Sequence, residues 1–326
     1  MYYWLDFIFS TAILSLASAA DDPYVGLSLG SRTVTLASLT DSGNVSITAR
    51  IPVDSAYISW FEEVVELEPK YGRMPDDNAV LIDVLEAVRN ILEAASAENT
   101  YISVIALPWK LRTHKLDEII IDALTDASML DPRLEEILRL TMIETRHVVQ
   151  IAYGFDLPQN LGLPKDFDWS AKVEPLVLHI EYNWNFMGFQ LIHIYKAAAS
   201  LEHDAMFKGF TDVDYLGTDQ RPATEIENQL SAFLAKHIRP PGPSTPPGDH
   251  FYIPDLRAVT FSGDAPPHAF DVLRTAVQKV MERYPYAQLY DTIRPSELFA
   301  VGAAKYAQFL FEFHRDFNPH GGHGEL

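Results

Sequence analysis

From Pro175 to Ala199 the chain reads PLVLHIEYNWNFMGFQLIHIYKAAA, two apolar runs on either side of a short polar and aromatic turn. Adjacent apolar runs of this length around a turn near Asn183 to Gly188 predict a β-hairpin. The same logic operates near the amino end. Tyr24 to Leu29 and Thr33 to Leu39 lie on either side of Gly30, and Asp41-Ser42-Gly43-Asn44 supplies the turn into a third strand, Val45 to Ile51, giving an antiparallel meander. Helices follow both clusters. Val80, Leu81, Val84, Leu85, Val88, Ile91 and Leu92 recur at helical spacing in one, and a helix from about Glu225 to His237 follows the other.

The remaining pieces alternate in the same way. YISVIALP, from Tyr101, is a buried strand, and Thr113 opens a helix running through Met129. Asp131-Pro132 with Glu135 reads as a capped start to another helix. Arg239 to Asp249, RPPGPSTPPGD, is a loop or linker, since proline neither donates to a ladder nor continues a helix. LRAVTFSGDAPPHAFDVLRTAVQKVMERY is strand, glycine turn and helix, and RPSELFAVGAAKYAQFLFEF is a last helix. Alternating strands and helices predict an α/β fold.

Composition narrows the function classes. A chain of 326 residues with 48% hydrophobic content is long enough for two packed lobes. Its 25 basic against 45 acidic residues give a formal net charge of −20, which repels phosphate backbones and argues against a nucleic-acid partner. With no cysteine, disulfides, thiolate metal sites and cysteine nucleophiles are excluded. At the amino end, an apolar run from Phe7 to Ala17 precedes Ala17-Ser18-Ala19, small residues placed as a signal peptidase requires, so residues 1–19 are expected to be a cleaved signal peptide. Asp6 and the lack of Lys or Arg before the run depart from the usual leader, which leaves an uncleaved anchor or a misplaced start as the alternative. No membrane span is expected in the mature chain.

Several short motifs, in this order of elements, resemble the actin-like ATPase superfamily, and within it the nucleotide-binding domain of the DnaK-type heat-shock chaperones. Ile143 to Asp156, IETRHVVQIAYGFD, is similar to the family's I-N-E-P-T-A-A-A-L-A-Y-G-L-D, sharing the initial Ile and Ala152-Tyr153-Gly154. Arg294 to Leu310 is similar to the family's N-P-D-E-A-V-A-x-G-A-A-x-x-A-A-x-L helix through Pro295, Glu297, Ala300, Gly302, Ala303 and Ala304. AVTFSGDAPPHAFDVL resembles the adenosine strand-turn-helix, retaining Gly263 of a glycine pair. The resemblance implies an actin-like (ribonuclease H-like) two-lobed α/β fold with mixed sheets, its first lobe over residues 23–170 and its second over 171–293. A helix over 294–313 would return to the first lobe, ahead of a tail over 314–326. The sequence offers no room after Leu326 for the peptide-binding domain of the chaperones, so that output half is expected to be absent.

Where the family does chemistry the residues differ. Its first phosphate loop, D-L-G-T-T, carries an acid that holds water on magnesium; here Ser28-Leu29-Gly30-Ser31-Arg32 keeps the glycine and a hydroxyl without the carboxylate. Its second, D-L-G-G-G-T, corresponds to Glu181-Tyr182-Asn183-Trp184-Asn185-Phe186, with bulky side chains where glycine permits close backbone approach. Thr145 stands at the place of the N-E-P-T glutamate, with Glu144 one residue earlier. The resemblance therefore implies a vestigial nucleotide cleft formed by Gly30, Ser31, Arg32, Glu144, Glu181, Gly263 and Gly302, with no catalytic residue and no metal site. The residues themselves favour plainer readings, Glu181 as a strand-end acid, Glu144 as a helix-start acid suited to the dipole, and Arg32 as a solvent-facing strand residue. Tyr182, Trp184 and Phe186 either plug the vacated phosphate pocket or are hairpin core.

The implied function is a noncatalytic pseudo-ATPase acting as a protein-binding or scaffold module without a cofactor; the alternative is a weak ATPase binding ATP or ADP with magnesium through Glu181 or Glu144. His314, His320 and His323 lie in a glycine-rich tail without metal-ligand spacing, and Ser262-Gly263-Asp264 lacks the flanking glycines of a nucleophile elbow. The ending His323-Gly324-Glu325-Leu326 resembles a His-Asp-Glu-Leu retrieval signal with Gly for Asp, and Asn44-Val45-Ser46 is a glycosylation sequon. A genuine leader places the protein in the secretory pathway or endoplasmic reticulum; otherwise it is cytoplasmic.

Overall fold

A computed structural model describes residues 24–40, 42–66, 79–95, 101–108, 111, 114–131, 142–169, 175–196, 198–208, 221–240 and 251–317. The leader, the helix start after Pro132, most of the proline-rich stretch and the end of the histidine-bearing tail lie outside these residues. The described chain is α/β and divides into two compact units, one containing the described residues up to Val148 and from Phe299, the other Val149–Leu298.

In the first unit β1 (Tyr24–Leu29), β2 (Thr33–Leu39) and β3 (Val45–Pro52) form the meander, with Leu27 opposite Leu36 and Ser28 opposite Thr35. On its other side β1 is joined in parallel by β4 (Val104–Ala106), and β4 by β5 (Met142–Ile143), so the sheet runs β3-β2-β1-β4-β5. Central position explains the sequence: all of β4 and five of the six β1 residues are buried, while edge strand β3 exposes Ser46, Arg50 and Pro52.

Helices α1 (Ser55–Glu66), α2 (Ala79–Ala95) and α3 (His114–Asp126) cover the sheet's connections. α1 starts where the Asp54 carboxylate accepts a 2.9 Å hydrogen bond from the Tyr57 amide, and it buries Tyr57, Trp60, Phe61 and Val64 at helical spacing. α2 buries Leu81, Leu85, Val88 and Leu92, the stripe its sequence predicts. α3 stops at Asp126, short of the expected Met129. Ser128 takes a left-handed φ of 49°, and the amides of Met129 and Ser128 bond back to the carbonyls of Leu124 and Thr125, a Schellman closure.

The second unit has the same strand order. β6 (Leu176–Tyr182), β7 (Phe186–Ile194) and β8 (Ala199–Lys208) form a meander, and β11 (Leu256–Ser262) and β12 (Gln288–Tyr290) add in parallel beside β6, giving β12-β11-β6-β7-β8. Every residue of β6 and β7 is buried. The expected turn near Asn183 to Gly188 is tighter than that, with Asn183 and Phe186 closing a two-residue loop of Trp184 and Asn185 through a 2.9 Å backbone bond. Helices α5 (Arg221–His237) and α6 (Pro267–Met281) cover one face with a core that includes Leu178, Ile180, Phe189, Leu230, Phe261 and Leu273. Arg239, expected to open the loop, instead pairs in a short parallel ladder, β9 (Ile238–Arg239) against β10 (Phe251–Tyr252).

Two helices contain the unit boundaries. In α4 (Thr145–Tyr153) the division falls after Val148, and in α7 (Leu298–Phe317) after Leu298. α4 ends in a second Schellman closure, with Gly154 at φ 64° and the Phe155 amide bonded to the Gln150 carbonyl. Asn160 Nδ2 donates to the carbonyls of Tyr153 and Gly154 at 3.2 and 2.8 Å, and Tyr153, Phe155 and Tyr290 stack around this corner. Ala152-Tyr153-Gly154 therefore terminates a helix and seats it on the second unit's sheet.

α7 presents its small residues to β1. A Cβ placed on Gly26 would lie 2.3 Å from the Ala304 nitrogen and 2.4 Å from the Ala300 oxygen, and one on Gly302 would lie 2.6 Å from Val148 Cγ1. Backbone cannot yield as a side-chain tip does. Gly26→Ala is expected to lower stability by about 1–3 kcal/mol or more, read as a fall in urea midpoint at constant m-value.

Candidate functional site

In α/β sheets, ligands are held beyond the carboxyl ends of the parallel strands. In the first unit those ends belong to β1, β4 and β5, and they bring two groups of expected site residues to one edge of the sheet. Gly30, Ser31 and Arg32 form the β1–β2 turn, closed by a 3.1 Å bond from the Gly30 amide to the Thr33 carbonyl. Ser31 is buried and Arg32 exposed. Ser28 is also buried, in β1 between Thr35 and Ala106. Glu144 and Thr145 follow β5. Glu144 caps α4 through its carbonyl, which accepts the amides of His147 and Val148, and its carboxylate pairs with Arg146 at 2.6 Å on a partly exposed surface. Thr145 is buried, with no hydrogen-bond partner for its hydroxyl. Gly302 lies against Val148, whose amide bonds to the Glu144 carbonyl.

The second unit places Glu181 and Gly263 side by side. Glu181 is at zero exposure in β6, opposite Ser262 of β11. Asn183 Nδ2 donates to Glu181 Oε1 at 2.7 Å, and Asn183 Oδ1 accepts the Asp264 amide at 3.2 Å, so one buried side chain fastens the β6 exit to the β11 exit. Gly263 has φ 110°, and a Cβ there would lie 2.0 Å from the Tyr182 oxygen. That close approach, with the positive φ, is why residue 263 is a glycine.

The donors of this turn are committed within the protein. The amide of Gly263 bonds to the Pro295 carbonyl at 3.2 Å, that of Asp264 to Asn183, and that of Ala265 to the Tyr182 carbonyl at 3.1 Å. The next two residues, Pro266 and Pro267, have no amide hydrogen at all. A phosphate cradle needs several convergent free amides, and five successive residues here offer none.

Tyr182, Trp184 and Phe186 do not share one pocket. Tyr182 lies on the α5/α6 face, its ring 5.8 Å from that of Phe270, with Met187 of the same core opposite it. Phe186, adjacent to Met187 on β7, is buried on the other face, and Trp184 sits half-buried at the loop tip.

Two polar residues that the sequence reading passed over complete the site. His179 Nδ1 lies 2.9 Å from Thr260 Oγ1 and its Nε2 lies 2.8 Å from Ser262 Oγ, all at zero exposure. Full burial pushes the imidazole down to about 3, so it is neutral. The contact has the partners of a base and a nucleophile, but it is sealed in the sheet interior and ties β6 to β11. A histidine inside the apolar LVLHIEY run and an asparagine two residues past Glu181 were the available signals. Among the described residues no group of three or more His, Asp or Glu is placed to hold a metal ion. No protein-family model matches this sequence, and no curated protein matches it.

Two outcomes follow from this geometry. Asn183→Ala removes the buried donor to Glu181 and the acceptor for Asp264, and should cost about 1–3 kcal/mol in chemical denaturation. Because folded His179 is depressed from 6.5 to about 3, its contribution is complete above pH 6.5 and is lost as pH falls towards 3. His179→Gln should flatten that acid limb of the stability curve by up to about 1.4 kcal/mol per pH unit.

Proposed function

We propose that this chain is a degenerate actin-like module of the DnaK-type chaperone class that does not turn over ATP and serves as a protein-binding scaffold. The observation carrying the reading is the closed turn of the second unit, where Asn183 and backbone carbonyls take the amides of Asp264, Gly263 and Ala265. The repeated strand order, three antiparallel strands with two parallel strands added beside the first, supports the actin-like assignment. Ser28 supports loss of turnover, since a buried hydroxyl cannot replace a carboxylate against hydrated magnesium. With a charge of −20, the surface suits a protein partner better than a nucleic acid. Among the described residues no helix is long and apolar enough to cross a membrane. Residence in the secretory pathway follows from the leader motif and belongs to the same proposal.

Thermal unfolding with ATP or ADP and magnesium tests it. A ligand at a hundred times its dissociation constant stabilises by about 2.7 kcal/mol, so the expected absence of any shift is a sharp outcome. Hydrolysis should equal the background. Turnover that Glu181→Gln abolishes would instead make the protein a residual ATPase.

A further inference from the structure

We propose that Asn44 is an N-glycosylation site and that its glycan shields the open edge of the first unit's sheet. Asn44-Val45-Ser46 is the single Asn-X-Ser/Thr sequence in the chain, and Val45 leaves it unblocked by proline. The fold puts it where a transferase can reach. Thr40 to Asn44 makes the β2–β3 turn, closed by the Gly43 amide on the Thr40 carbonyl at 2.8 Å and the Thr40 amide on the Asn44 carbonyl at 3.2 Å. Ser42, Gly43, Asn44 and Ser46 are all exposed. The Asn44 amide nitrogen makes a 3.1 Å bond to the Ser42 hydroxyl, an exposed contact that water can replace.

Two features of the topology give the modification a purpose. Ser46 is the second residue of β3, the outermost strand of its sheet among the described residues, and a strand edge is a template for unwanted pairing that proteins commonly cover. A bulky, hydrated glycan at the start of β3 does this without entering the core. The register, Tyr24 opposite Leu39 and Leu29 opposite Val34, also sets the Thr40–Asn44 turn at the end of the sheet away from Gly30, Ser31 and Arg32. The candidate loop is left unobstructed.

The step is transfer from a lipid pyrophosphate-linked oligosaccharide. Asn44 Nδ2 attacks the anomeric carbon, a C–N bond forms, and the C–O bond to pyrophosphate breaks with its electron pair leaving on the lipid pyrophosphate. The amide nitrogen gives up one proton. The inference rests on the leader reading of residues 1–19, which must deliver the chain to the lumen, and is independent of whether the protein handles a nucleotide.

The full chain is expressed in a eukaryotic secretory cell and treated with peptide N-glycosidase. The expected result is one step of increased mobility, with aspartate at residue 44 by peptide mass spectrometry. Asn44→Gln and Ser46→Ala should each abolish the step, and Ser46→Thr should preserve or raise occupancy. A chain whose mobility the glycosidase leaves unchanged overturns the proposal, as does a shift that persists in Asn44→Gln.

Discussion

The first unit depends on a contact between residues far apart in sequence, Gly26 of β1 and the Ala300 to Ala304 turn of α7. Strand and helix approach so closely that no side chain fits between them, and Ala300, Ala303, Ala304 and Ala307 are all fully buried. Close packing of this kind maximises dispersion contact and tolerates little volume change. It also makes the central strand's environment incomplete until the end of the chain has arrived, which couples the formation of the meander to that of α7. The Tyr24 and Phe311 rings, 5.1 Å apart, extend the same seam.

Polar groups play the corresponding part in the second unit. β6 and β11 are parallel central strands, yet their shared face carries His179, Thr260, Ser262 and Glu181, all at zero exposure. Such groups are tolerated only when hydrogen-bonded. His179 meets hydroxyls through both ring nitrogens, and Glu181 is held by Asn183. The interior network therefore specifies the β6–β11 register as well as filling space.

Elements defined by periodicity were legible in the sequence: the β1–β3 meander, the β6–β7 hairpin, α2 and α7. α1 was equally periodic, since Tyr57, Trp60, Phe61 and Val64 fall on one face behind Asp54, but aromatic and β-branched residues weaken a propensity reading of that stretch. The end of α3 was not legible, because Ser128 is an uncommon left-handed residue and its role depends on bonds to Leu124 and Thr125. β8 and β12 were missed for a different reason. Their apolar content is modest, and they become strands by pairing with β7 and β11, a nonlocal cause.

The candidate site shows the same division. The sequence identified which positions differ from a phosphate-binding pattern, Ser28 and the Asn183 to Phe186 loop, because identity alone carries that information. What satisfies the donors of the turn after β11 is a matter of geometry. Asn183 reads as one more bulky residue of its loop until its two bonds, to Glu181 and to the Asp264 amide, are seen together. Both ends of its amide are then in use, and the turn it holds is followed by two prolines. A turn without such partners would leave amides exposed and available to anions. Here the protein's own atoms satisfy them, so freeing these amides for an anion would require breaking a buried network.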